Sequence, residues 1–189
     1  MYQFIKKIAD LLSGLQLVEV STYHLSNKDC QTKKMNINLE CIELVNALTE
    51  DFNLMRAWLI PSLMQVLVNN KHNEYPQKIY EVGIVFRKDD FEISEPKHLA
   101  VLSSHPLTDY TEIKQILDAL LLALDLKYDI IETEHNSFIP GRVGSIIIKG
   151  KNIGFLGEIH PKVLSNFFLD NPVVALEIDV NMLFELVNH

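Results

Sequence analysis

Apolar residues open the chain at spacings of four, three and four: Phe4, Ile8, Leu11 and Leu15, with Ile5 and Leu12 beside them. That period lays one wide stripe along a helix, and Gly14 marks its end. Residues 17–25 are rich in β-branched and aromatic side chains and read as a strand. The polar, basic run over 27–38 reads as an exposed connection or hairpin ahead of a second strand at 42–48. Pro61 suits the first turn of a helix over 61–70, where Leu63, Met64, Leu67 and Val68 share a face. A short helical turn containing Arg56 precedes it. The clearest strand pattern spans 78–87, with Ile79, Glu81, Gly83 and Val85 alternating against Tyr80, Val82, Ile84 and Phe86. A glycine inside such a run implies a bulge or a close backbone approach.

Beyond a charged turn, residues 98–104 read as the returning antiparallel strand. Ile113, Ile116, Leu117, Leu120, Leu121 and Leu124 then recur at helical spacing, with Thr111 as the cap. Strands are expected at 128–134, 143–150, 153–159 and 172–180, with a turn at Lys151 and Asn152. A helix is expected over 160–168 and a short one at the C-terminus. Without repeats, low-complexity tracts or an evident linker, residues 1–189 read as one α+β domain, a mainly antiparallel sheet covered by helices.

Charge and composition narrow the partners. Lys and Arg number 17 against 25 Asp and Glu, a formal net charge of −8. The three arginines, Arg56, Arg87 and Arg142, lie far apart in sequence, so no basic face stands out and independent nucleic-acid binding is not expected. Cys30 and Cys41 are too few for a disulfide framework. The apolar run 119–124 sits between Asp118 and Asp125, far short of the ~20 residues that span a bilayer. The N-terminus lacks the features of a signal peptide, and the expected location is the cytosol.

Candidate chemistry is sparse. Neither a nucleophile elbow nor a phosphate-loop motif occurs. The two glycines of 154–158 fit a hairpin as well as a phosphate loop, and Gly141, Gly154 and Gly157 are expected to supply turn or strand geometry. The seven histidines form no metal-ligand pair at helical spacing. His160, just before Pro161, reads as a cap or packing residue, and Glu132 with Glu134 as a solvated strand edge. One constellation has more chemical content: in "VFRKD" over 85–89, Arg87 ends a strand two residues before Asp89, and an arginine so placed can grip a phosphate by a bidentate contact.

Four ordered blocks carry a resemblance: "GLQLVEVSTYHLSN", "VNALTEDFNLMRAWLIPSLMQVLVNNKH", "PQKIYEVGIVF" and "FIPGRVGSIIIKGKNIGFLGEIHPKVLSNFFLDNPVVALEIDV". Together they resemble the catalytic-like core of the phenylalanyl-tRNA synthetase β subunit, in its archaeal and eukaryotic form. The resemblance implies a class II aminoacyl-tRNA synthetase fold and a β core that binds the catalytic α subunit within a heterotetramer. It implies a first motif at the opening helix and strand, a subunit-interface element, so Phe4, Ile8, Leu11 and Leu15 become interface candidates. Arg56, ahead of the Pro61 helix, is expected to bond across to the α subunit. Against the ATP site of active class II enzymes, "FRKD" approximates the second motif, with Asp89 in place of Glu. The late glycine-rich block with its arginine is missing, and Arg142 precedes a strand instead of opening a helix. Arg87 and Asp89 are therefore read as vestigial, and no residue as catalytic or metal-binding. ATP and magnesium belong to the assembled ligase, and tRNA(Phe) is a partner of the complex. The editing module of the family's full β chain does not fit within 189 residues. The alternative is a stand-alone paralogue that binds an amino acid or adenylate.

Overall fold

The chain builds one seven-stranded sheet from segments far apart in sequence. In the computed structural model, residues 1–47, 49–89 and 92–188 are described, apart from the side chain of Asp89. The helices are α1 (Tyr2–Gly14), α2 (Ile60–Asn70), α3 (Tyr110–Ala123), α4 (Pro161–Asn166) and α5 (Val180–Asn188). Short strands β1 (Val18–Glu19), β2 (Leu25–Ser26) and β3 (Leu54–Met55) precede the long β4 (Gln77–Ile84). The hairpin strands β5 (Arg87–Asp89) and β6 (Glu92–Ser94) lead into β7 (Lys97–Ser104). β8 (Asp129–Glu132), β9 (Phe138–Ile148), β10 (Lys151–Ile159) and β11 (Val173–Asp179) complete the set.

The sheet order is β1-β4-β7-β11-β10-β9-β8. Only the β1–β4 pair is parallel; the other pairs in this sheet are antiparallel. Alternation along the central strands loads both faces with apolar groups, which is why 79–84 and 173–178 read as apolar apart from one acid each, Glu81 and Glu177. Leu99, Val101, Val174, Leu176 and Ile178 face α1, α3 and α5. Ala100, Leu102, Val173 and Ala175 face α2, α4 and the segment around Trp58.

Several sequence expectations need correction. Of 17–25, only β1 and the start of β2 are strand, and Thr111 is not the α3 cap: Asp109 is, its side chain accepting from the Glu112 amide. The reversal near Lys151 comes earlier, at Lys149 and Gly150, and Lys151 already belongs to β10. Residues 27–38 are not an exposed connection. Asp29–Lys33 coil as a π-helix, with Cys30, Gln31, Thr32 and Met35 buried beneath α2. Of the strand expected at 42–48, residues 42–47 form none: Glu43 makes an isolated bridge to Leu54 and Val45 is exposed, while Leu48 lies outside the described residues. A short apolar run becomes a strand only where a sheet face can cover it, and none does here. Arg56 lies in no helical turn but follows β3 directly.

β9 bends where glycine lets it. The register against β10 jumps from Val143 opposite Gly157 to Phe138 opposite Ile159. Within the jump Gly141 takes φ +74°, a left-handed value that side chains with a Cβ resist.

Candidate functional site

Two acids interrupt the apolar face of the sheet beneath α2. Glu81 on β4 and Glu177 on β11 are both paired with Ala100 of β7, so the three form a single row across neighbouring strands. Both carboxylates are almost wholly buried, and a buried charge persists only where partners replace its lost water.

Glu81 finds them in Arg56 and Thr22. The Arg56 guanidinium, in a residue 1% exposed, donates from Nη1 to Glu81 Oε1 at 2.8 Å and to Thr22 Oγ1 at 2.8 Å. Its Nε donates to the Ile84 carbonyl at 2.7 Å, and the Thr22 hydroxyl donates to Glu81 Oε2 at 2.7 Å. Gly83 makes room for this seat, because a Cβ there would collide with Arg56 Nη2 and crowd Glu81 Oε1. The glycine flagged in the strand pattern thus marks a close approach by a side chain. Arg56 does not face outward to bond a partner: its guanidinium is engaged inside the chain.

Glu177 is satisfied differently. Its carboxylate accepts the Leu59 N–H at 3.0 Å and the Ile60 N–H at 3.1 Å, at the start of α2, where unpaired amides and the helix dipole favour an anion. Its Oε1 also lies 2.7 Å from His98 Nδ1. His98 Nε2 stands 3.3 Å from Arg87 Nη2 and 4.0 Å from Asp179 Oδ2. A guanidinium only donates, so the Arg87 contact makes Nε2 the acceptor and leaves Nδ1–H to donate to Glu177.

Between these anchors sits Trp58. Its indole N–H donates to the Gln31 carbonyl at 3.1 Å. Its ring packs with His135 and Phe155, which in turn meet Phe138. Burial pushes the His135 imidazole below its usual range, against a weaker upward pull from Glu177. Outside this assembly lies a cleft of about 920 Å³, bordered by Thr22, Tyr23, Lys33, Phe52 and Gln65. Tyr23 is 77% exposed and Phe52 42%, and their rings meet edge-on at 5.8 Å.

The remaining candidates are dispersed. Arg87 begins the β5–β6 hairpin, exposed apart from its His98 contact, and the Asp89 side chain lies outside the described residues. Arg142, within β9, pairs with Glu158 at 2.6 Å. His160 caps α4, its Nδ1 accepting the Lys162 amide at 3.0 Å. Phe4 and Ile8, expected at an interface, instead point into the core shared with α3 and α5. Leu11 is half-buried, Leu15 is 37% exposed, and Val18 follows at 62%. Among the described residues, no three His, Cys, Asp or Glu side chains converge as metal ligands would, and no helix is long and apolar enough to cross a membrane.

The residues that sequence reasoning missed are Glu81, Glu177, His98 and Thr22. The signal was available: Glu81 shares the face of Ile79, and Glu177 that of Ala175, each an acid at an inward position of an apolar strand.

Residues 1–180 match the family described as phenylalanyl tRNA synthetase beta chain CLM domain. The phenylalanine–tRNA ligase beta subunit of Pyrococcus abyssi is 46% identical over 183 residues, covering 94% of this chain and 33% of its own. That of Pyrococcus furiosus is 47% identical over 182 residues, with the same coverage. That of Methanopyrus kandleri is 36% identical over 184 residues, covering 94% and 31%. The chain spans about a third of the length of these relatives.

Proposed function

The chain belongs to the CLM-domain family of phenylalanyl-tRNA synthetase beta chains, and from that premise we propose that it is a synthetase-like core that supports assembly without activating an amino acid. Residues 1–189 act as one core domain of class II synthetase type. Its partner is the α subunit of phenylalanine–tRNA ligase, with tRNA(Phe) engaged by the complex, in the cytoplasm. ATP and magnesium serve the assembled ligase.

The observation that carries this reading is the state of the sheet face. Adenylation builds negative charge at phosphorus and needs preorganised cations around it. Here the floor holds two carboxylates, and the chain's own residues 56–60 lie over them. Of the three arginines, Arg56 is bound to Glu81 and Arg142 to Glu158. Arg87 and Arg142 are both exposed, but Glu158 already engages Arg142, and one remaining guanidinium makes no clamp.

Co-expression with the catalytic α subunit of an archaeal relative tests the proposal. A stable complex through size-exclusion chromatography is expected. A chain that stays separate from α, yet gains thermal stability with phenylalanine or ATP, would favour a stand-alone ligand-binding paralogue.

A further inference from the structure

We infer that residues 56–60 are a strap that fills the acidic sheet face from within the chain, latched by Glu81 at one end and Glu177 at the other. This rests on the geometry alone and goes beyond the assembly role.

Glu81 and Glu177 stand two strands apart, about 10 Å at the usual strand spacing. Arg56 to Leu59 covers at most about 10 Å of extended chain, so one short segment reaches both acids. Ala100, between them in the row, is small enough to let backbone lie close above the sheet. At one end the occupant is a guanidinium seated over Gly83. At the other it is the pair of amides that open α2. Trp58, midway, enters the nest of His135, Phe138 and Phe155 as an aromatic ligand would. The floor is therefore matched to donors and cations, and its own strap supplies them. A planar cation of guanidinium type is the ligand class it accepts when Arg56 is removed; a polyphosphate meets two carboxylates.

The strap also reaches toward the surface. The Arg56 amide donates to the His24 carbonyl at 2.9 Å, and its carbonyl accepts from the Phe86 amide at 2.9 Å. With the Thr22 bonds, these contacts tie the Tyr23 side of the 920 Å³ cleft to the sheet face. Opening the strap releases both.

Trp58 is the sole tryptophan, so its fluorescence reads the strap directly. In Arg56→Ala, acrylamide quenching of Trp58 should rise severalfold while far-UV circular dichroism keeps its folded shape. Guanidinium at low millimolar concentration, far below denaturing levels, should restore the shielding, and sodium at equal ionic strength should not. Glu177→Gln should loosen the far end in the same assay without a guanidinium response. Trp58 shielded in both variants, or exposed in folded Arg56→Ala with no response to guanidinium, would overturn the inference. If Arg56→Ala does not fold, native-state hydrogen exchange on the unsubstituted chain decides. The Leu59 and Ile60 amides should exchange through an opening that leaves β7 and β11 protected. Exchange only together with the β7 amides would mean ordinary core and no latch.

Discussion

Arg56 and Glu81 form a 2.8 Å ion pair in which neither side chain is more than 4% exposed. Such a pair stabilises little relative to apolar residues of similar size, but removing one member strands the other. Glu81→Leu should therefore cost about 3 kcal/mol or more, because Arg56 is left buried with its charge unmatched. Arg56→Met alone should cost about as much. The double variant should cost clearly less than the two single losses combined, the non-additivity expected of groups in contact. Urea denaturation of all four chains measures this directly.

Phe4 and Ile8 of α1 are core residues, whereas Leu15, just past the helix, and Val18 of β1 are exposed. Truncating Phe4 or Ile8 to Ala should destabilise the chain by about 3 kcal/mol. It should affect partner binding only through the loss of folded protein. Leu15→Ser with Val18→Ser should change stability by no more than about 0.5 kcal/mol each, yet weaken capture by the α subunit. Melting curves and a binding titration on the same preparations separate the two effects.

Glu112 gathers Lys78, Ser103, His105 and Thr108 at the start of α3. Burial is the largest influence on its carboxyl and pushes the pKa up, but hydrogen bonds from Lys78, Thr108, His105 and Ser103 outweigh it and hold the value at about 2, against an ordinary 4.5. A pKa lower in the folded than in the unfolded state stabilises fully above the unfolded value. That stability is lost as pH falls from about 4.5 through about 2. On the order of 2 kcal/mol should disappear over that window. In Glu112→Gln the acid limb of the stability curve should be correspondingly shallower, as followed by urea midpoints at successive pH values.

The sequence pattern made β4, β7, α3 and β11 legible, because alternation or helical spacing there coincides with burial in the folded sheet. The π-helix at Asp29–Lys33 was not legible: its buried face is polar, Gln31 and Thr32 beside Cys30, and Gln31 finds its backbone partner only when the chain folds. Gln31 accepts the Ala57 amide at 3.0 Å, and Thr32 donates to the Lys28 carbonyl at 2.6 Å. Arg56 fails for the same reason. A lone arginine before a proline-led helix reads as surface until Glu81, Thr22 and the Ile84 carbonyl are seen to surround it. Gly83 came nearest to disclosing the site, since its place inside a strand signalled a close approach without saying of what. Glu81 and Glu177, in strands separated by nearly the whole remaining sheet sequence, meet in one row only through the pairing of both strands with β7.

The most direct test is ATP–pyrophosphate exchange with phenylalanine, run on the isolated chain, on the chain joined to the catalytic α subunit, and on the same pair carrying Arg87→Ala. The account predicts no exchange by the chain alone, exchange once α is present, and the same rate after Arg87 is replaced. Saturable exchange by the isolated chain, abolished by Arg87→Ala, would contradict it.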